Sequence, residues 1–159
     1  SSDLLDAPAP IFDSREHRAP DLVSVLRRCR AMVSSRYHAI VTSMPAAVAS
    51  GGVTMDERIR NLMHDRGHDD LYLEVDDPDL EQRVHAMLLR LWSDGDAIAA
   101  GIARALPRQL ELMGQMGMDF IDEVCRVYPA FPRQDLPRDP LAHLPTLGSE
   151  LRATLEAYA

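Results

Sequence analysis

DLVSVLRRCRAMVSSRYHAIVTSM, residues 21–44, is the stretch on which the fold class turns. Leu22, Val25, Leu26, Cys29, Met32, Val33, Tyr37, Ile40 and Met44 recur at intervals of three and four, the spacing of one face of an α-helix. Read that way, the segment is one long amphipathic helix, ended by Pro45 and the Gly51-Gly52 pair. Such a helix at the start of the body predicts an all-α protein.

The flanking segments extend the same reading. Residues 1–20, with Pro8, Pro10 and Pro20 and no sustained period, predict an extended arm. Thr54 and Glu57 have the spacing of a capping box before Ile59, Leu62 and Met63, so a short helix should run to Asp65 or Arg66, with Gly67 as its C-terminal cap. LYLEV, residues 71–75, alternates like a strand but has no partner in view, and reads as an extended linker. Asp77-Pro78 starts the next helix, and Leu80, Val84, Met87, Leu88 and Leu91 carry its apolar stripe to Trp92. After the turn SDGD, residues 93–96, AIAAGIARAL should kink or break at Pro107 before a longer helix over 108–128. The buried face of that helix would be Leu110, Met113, Gly117, Phe120, Ile121, Val124 and Tyr128, with Gly114 or Gly117 allowing close packing. PAFPRQDLPRDPLAHLP, residues 129–145, reads as a proline-rich strap, and 146–158 as a closing helix. The expectation is an arm over 1–20 and a single helical domain over 21–159, a compact bundle of five or six helices.

Composition narrows the function classes. The chain has 159 residues, 46% apolar, and a net charge of −8, so it lacks the basic face that general nucleic-acid binding needs. No apolar run reaches the roughly 20 residues of a membrane-spanning helix. Cys29 and Cys125 sit on apolar faces and read as core thiols of a reducing compartment. With no basic leader and apolar core at its start, the sequence reads as an excised domain of a cytoplasmic protein. All 17 basic residues are arginine, which suits a GC-rich genome. Charge is polarised: Asp65, Asp69, Asp70, Glu74, Asp76, Asp77, Asp79 and Glu81 stand against Arg66 alone, while Arg15, Arg18, Arg27, Arg28, Arg30 and Arg36 cluster earlier. Two solvated faces that attract one another explain this; so does docking of a basic partner or peptide. The candidate partner- or peptide-binding residues are Arg27, Arg28, Arg30, Asp69, Asp70, Asp76, Asp77 and, in the strap, Phe131.

NLMHDRGHDD, residues 61–70, is the densest cluster of titratable groups. Its LMHDRGH resembles the signature of HD-domain phosphohydrolases, which implies a divalent metal on the doublet His64 and Asp65, with His38, His85 and Asp122 (or Asp119) as further ligands. The alternative is a helix end, His64-Asp65, followed by a solvated loop over His68–Asp70. Helical phase favours the latter, because His38, Asp119 and Asp122 fall away from the apolar faces of their helices, and His85 keeps company with Leu88, Leu89 and Trp92 as a packed core histidine. The glycine before His68 disfavours an HExxH-type zinc helix.

Residues 98–131, IAAGIARALPRQLELMGQMGMDFIDEVCRVYPAF, carry a second likeness. Leu106, Pro107, Leu112, Gly114, Phe120, Tyr128 and Pro129, with LGSELRATLEAY downstream, resemble the helical partner proteins of multinuclear non-haem iron oxidative enzymes in bufferin- and methanobactin-type peptide pathways. The resemblance implies a non-catalytic accessory subunit that docks on an iron-dependent enzyme and helps present a precursor peptide, with the iron in the partner and no cofactor in this chain.

Overall fold

The structure is a computed structural model, and it describes residues 15–131, 137 and 139–158. Most of the expected arm lies outside the described residues; Arg15–His17 form a turn, and helix begins at Ala19. Six α-helices are present among the described residues, but a three-stranded parallel sheet runs between them, so the all-α expectation is corrected to a mostly helical fold with a small sheet.

The correction starts in residues 21–44. They form α1 (Ala19–Leu26), β1 (Ala31–Ser34) and α2 (Tyr37–Ser43), because Ala31–Ser34 pairs with Ala49–Gly52 and each flanking helix keeps only its own part of the apolar spacing. The turn into α2 is closed by Ser34 Oγ, which accepts the Arg36 N–H at 3.0 Å. The strand β2 (Ala49–Val53) lies in the middle, and β3 (Tyr72–Leu73) pairs with Gly52 and Val53 on its other side. LYLEV is thus partly a strand after all, and its partner strand begins its pairing at Gly52, one of the glycine pair that the sequence offers as a helix stop. The remaining helices are α3 (Glu57–Asp65), α4 (Leu80–Ser93), α5 (Gly95–Val127) and α6 (Ser149–Ala157). Asp56, not Thr54, caps α3, its carboxylate accepting Arg58 N–H at 2.9 Å. The expected start of α4 at Asp77-Pro78 gives way to a turn, and the helix opens at Leu80.

The middle strand is made of residues that fill almost no space. A Cβ on Gly51 would lie 2.4 Å from Met87 Sδ of α4, and one on Gly52 would lie 2.4 Å from Ile59 Cγ2 of α3. Successive strand residues point to opposite faces, so α4 and α3 approach the sheet from opposite sides at adjacent residues. Ile40, Ile59 and Met63 on α2 and α3, and Leu91 and Ile102 on α4 and α5, are fully buried against this sheet. Each contributes about 1.5–3 kcal/mol by leaving water.

The long helix α5 passes through Pro107 as one element, where a kink or break was expected. Its first half is core, with Ile98, Ile102, Ala103 and Leu106 buried. In its second half a helical turn over Pro140–His143 packs on Gly114, where a Cβ would lie 2.0 Å from the Pro140 carbonyl oxygen. That contact fixes which side of α5 is covered. Leu110, Gly117, Ile121 and Val124 are half-buried on it, whereas Met113, Phe120 and Tyr128, expected inside, are exposed.

Two glycine substitutions separate close packing from chain entropy. Gly52→Ala should destabilise the protein by about 1–3 kcal/mol, because the β-branched Ile59 has nowhere to go. Gly117→Ala, in a helix interior with open space around its Cβ, should stabilise it by roughly 0.5–1 kcal/mol. Urea unfolding of the two variants beside the parent chain measures both; a harmless Gly52→Ala would refute the close approach.

Candidate functional site

All strands of a parallel sheet end on the same side, and the loops that gather beyond their carboxyl ends are where open α/β folds hold ligands. Here β1 leads into Ser34-Ser35-Arg36, β2 into Thr54-Met55-Asp56, and β3 into Glu74-Val75-Asp76-Asp77. Arg36 is exposed, and its guanidinium has no partner among the described residues. Tyr37 and His38 come next, in the first turn of α2, their rings edge-on at 5.7 Å between centroids. From the first turn of α3, just after the β2 loop, Arg58 lies over the Tyr37 ring, 5.1 Å from its centroid, while it holds Asp56 through two hydrogen bonds of 3.0 and 2.7 Å. Those bonds keep the Asp56 carboxyl below its usual range and raise Arg58 above its own. Thr54, buried, accepts the Asp56 N–H and fixes that loop. Arg58, Tyr37 and His38 thus join the first two loops into one cationic and aromatic rim, with Arg36 as its free charge.

The third loop has the opposite sign. Arg60, Tyr72, Glu74, Asp76, Asp77, Pro78 and Arg83 surround a cavity of about 470 Å³. Arg60 bridges Glu57 and Glu74, and Arg83 pairs with Asp77. Burial first and Glu74 second push the Tyr72 phenol up.

Of the residues proposed from sequence for partner or peptide binding, Asp76 and Asp77 therefore line a cavity at this edge. The others scatter. Arg27 is a staple between elements, donating to the Thr42 carbonyl and pairing with Glu150 of α6 at 2.7 Å. Arg28 is exposed, and Arg30 stacks on Trp92 with its guanidinium carbon 4.3 Å from the ring centroid. Asp69 accepts from His64 Nδ1 at 2.8 Å, Asp70 pairs with Arg90, and Phe131 is exposed beyond the end of α5. The ion pairs these clusters do form reach residues outside the opposite cluster: Asp69 with His64, Asp70 with Arg90, Glu74 with Arg60, Asp77 with Arg83 and Arg27 with Glu150.

The residues of the metal reading lie on separate elements: His38 on α2, His64 and Asp65 at the end of α3, His85 on α4 and Asp122 on the distal half of α5. Among the described residues no three His, Cys, Asp or Glu side chains converge closely enough to hold a metal. His85 is exposed beside Leu88, Leu89 and Trp92 rather than packed in the core. NLMHDRGHDD is a helix end in which Gly67, at φ 68°, turns the chain while Gly67 N–H donates to His64 and His68 N–H to Met63. The segment after Asp65 is not solvated throughout, because Arg66 and His68 are buried. Arg66 reaches back to the Ser50 hydroxyl and carbonyl of β2, and burial lowers its pKa to about 10. His68 sits against Gly101 of α5, where a Cβ would meet its ring at 2.9 Å.

Arg36, Tyr37, Thr54, Arg58 and Tyr72 were not singled out from sequence as site residues. The available signal was Ser34-Ser35, a turn-forming pair inside an otherwise unbroken helical spacing, which would have ended a strand just before Arg-Tyr-His. Comparison with protein-family models, with curated proteins and with solved structures finds no match for the chain.

The two histidines of the α3 terminus should titrate in opposite directions. The Asp69 hydrogen bond raises His64, so its contribution is present below the ordinary imidazole value and is lost as pH rises through the folded value. Asp69→Asn should bring the His64 midpoint down, read by NMR of its ring protons. Burial, then Arg66, Arg90 and Arg104, lower His68 from 6.5, so stability should fall as pH falls below about 6.5, where the unfolded chain takes up a proton that the folded chain refuses. Urea midpoints at pH 7 and pH 5 should differ less in His68→Gln than in the parent chain.

Proposed function

We propose that this chain is a non-catalytic binding subunit: it holds an anionic group, carboxylate or phosphate, at the carboxyl edge of its sheet and docks on a partner enzyme that carries the chemistry. The observation that supports this is exposed Arg36, whose guanidinium has no partner among the described residues and which precedes Tyr37 and His38 in the chain, where Tyr37 meets Arg58 beyond the ends of β1 and β2. A guanidinium with both edges free offers the paired donors that a carboxylate or phosphate accepts. Among the described residues the rim sets no nucleophile against a base, and the Asp56 carboxylate is committed to Arg58 and to the α3 cap. Binding without turnover is the role these groups suit.

The accessory role that the C-terminal resemblance implies, on an iron-dependent enzyme with a precursor peptide, falls within this proposal. A peptide would engage the rim through an acidic side chain or its terminal carboxylate, and the iron would belong to the partner.

Titration of the chain with inorganic phosphate and with citrate, followed by NMR, tests the proposal. Amide shifts should centre on residues 34–38 and 54–58. Arg36→Ala should weaken binding roughly 10- to 100-fold, the loss of about 1.5–3 kcal/mol expected for a hydrogen bond to a charged group. Unchanged affinity in Arg36→Ala, or shifts centred elsewhere, would defeat it.

A further inference from the structure

Among the described residues the sheet ends at β1: its inner edge pairs with β2, and nothing pairs with its outer edge. Sheet edges are normally blunted by proline, lysine, a bulge or a covering element, since free N–H and C=O groups invite another strand. The residues of β1, Ala-Met-Val-Ser, include none of those devices. Beside this edge a groove of about 750 Å³ opens between β1 and α4, lined chiefly by Cys29, Met32, Val33, Leu88, Leu89 and Trp92. Leu88, Leu89 and Trp92 are 50%, 59% and 63% exposed, although they belong to a helix whose other face, Met87 and Leu91, is core. An open hydrogen-bonding edge and an adjoining apolar trough are the two halves of a strand-addition site: backbone pairing supplies affinity, and side-chain pockets supply selection.

Charge selects the occupant. Arg30 stacks on Trp92 at the groove wall, and Arg28, two residues upstream, is exposed, while Arg36 lies just past the other end of the strand. Pairing of β1 with the β1 of a second copy about a two-fold axis would set Arg30 of one chain toward Arg36 of the other, and like charges across strands are destabilising. A segment with acidic ends meets no such cost. We propose that an extended, acid-flanked strand of a partner polypeptide adds to the outer edge of β1, its apolar side chains seated against Leu88, Leu89 and Trp92 and its acidic residues against Arg28 and Arg30. The proposal rests on this edge and groove rather than on the anion rim, which begins just past the far end of β1.

The test uses the full chain and a synthetic peptide of roughly six strand residues, with valine at alternate positions and two aspartates at each end. Binding should slow hydrogen exchange of the amides of residues 31–34 and shift the emission of Trp92, the one tryptophan in the chain. Leu89→Asp, at a position already exposed, should abolish both signals, while Leu112→Asp, exposed on α5, should leave them intact. A peptide with lysines in place of the aspartates should bind at least roughly tenfold more weakly, about 1.4 kcal/mol. Three results would overturn the proposal: no added protection within 31–34 by the acidic peptide, equal binding of the lysine peptide, or a chain in which the outward-facing amides of 31–34, the alternate ones not turned toward β2, are already protected without peptide, through self-association or by another part of the same chain.

Discussion

The rest of the structure depends on the missing side chains of Gly51 and Gly52. Helices on the two faces of a sheet are ordinarily held about 10 Å from it by side chains, yet here α4 and α3 bring Met87 and Ile59 to the backbone of one strand at consecutive residues. A middle strand with side chains on both faces would force the two helical layers apart. With only three strands, of which β3 is two residues long, the sheet has little width over which to recover that loss. Its own hydrogen bonds are few, so the close helix packing rather than the ladder holds it together. Ala49 and Ser50, also buried and small, extend the same flat surface toward the start of the strand.

The end of α3 closes the other side of this arrangement. A buried arginine without a carboxylate partner is costly, and Arg66 is 6% exposed with, among the described residues, only Ser50 and the Met63 sulfur as acceptors. Its position carries a structural gain: the guanidinium spans from the last turn of α3 to the carbonyl of the middle strand, tying helix to strand. His68 then fills the space above Gly101, which links the same turn to α5. The cluster that looks most like chemistry in the sequence is thus largely a fastening between layers. Its exposed members, His64 and Asp69, satisfy each other.

Much of the helical part was legible. The apolar spacing of Ile59, Leu62 and Met63, the cap at Gly67 and the stripe from Leu80 to Leu91 are local features, and local physics decides them. The sheet was not legible for a reason specific to each strand. In β1, Met32 and Val33 happen to continue the three-and-four spacing of the helices on either side. In β2, glycine has poor strand propensity and signals a break, and only the approach of two helices makes it necessary. In β3, the alternation of LYLEV was visible but its partner was not, because Gly52 and Val53 lie in a stretch that reads as a helix stop. Once β1 is missed, the carboxyl edge does not exist as a place, and Arg36, Tyr37 and Arg58 look like scattered surface residues. For α5 the spacing was right but the covered side only partly so, with Met113, Phe120 and Tyr128 left outside, because the partner that chooses the side, Pro140, lies 26 positions beyond Gly114 in the sequence (140 − 114).

The two surfaces left open on the molecule meet at β1. A crevice beyond a parallel sheet is formed by the loops of neighbouring strands, and on the inner side of β1 the Arg58–Tyr37 contact already closes it against the β2 loop. On the outer side no described loop stands next to Arg36, so that half of the crevice is bare. A strand added along β1 in the sense of the other three would carry its own succeeding loop to that bare side. Strand docking would therefore also desolvate the Arg36 rim, and a charge-assisted contact gains strength where water is excluded. An acid-flanked strand would bring its own carboxylates to that guanidinium, so ligand capture and partner docking would oppose one another, without any conformational change in either. The coupling would be reciprocal, since whatever the docked strand takes from ligand affinity the ligand takes equally from docking.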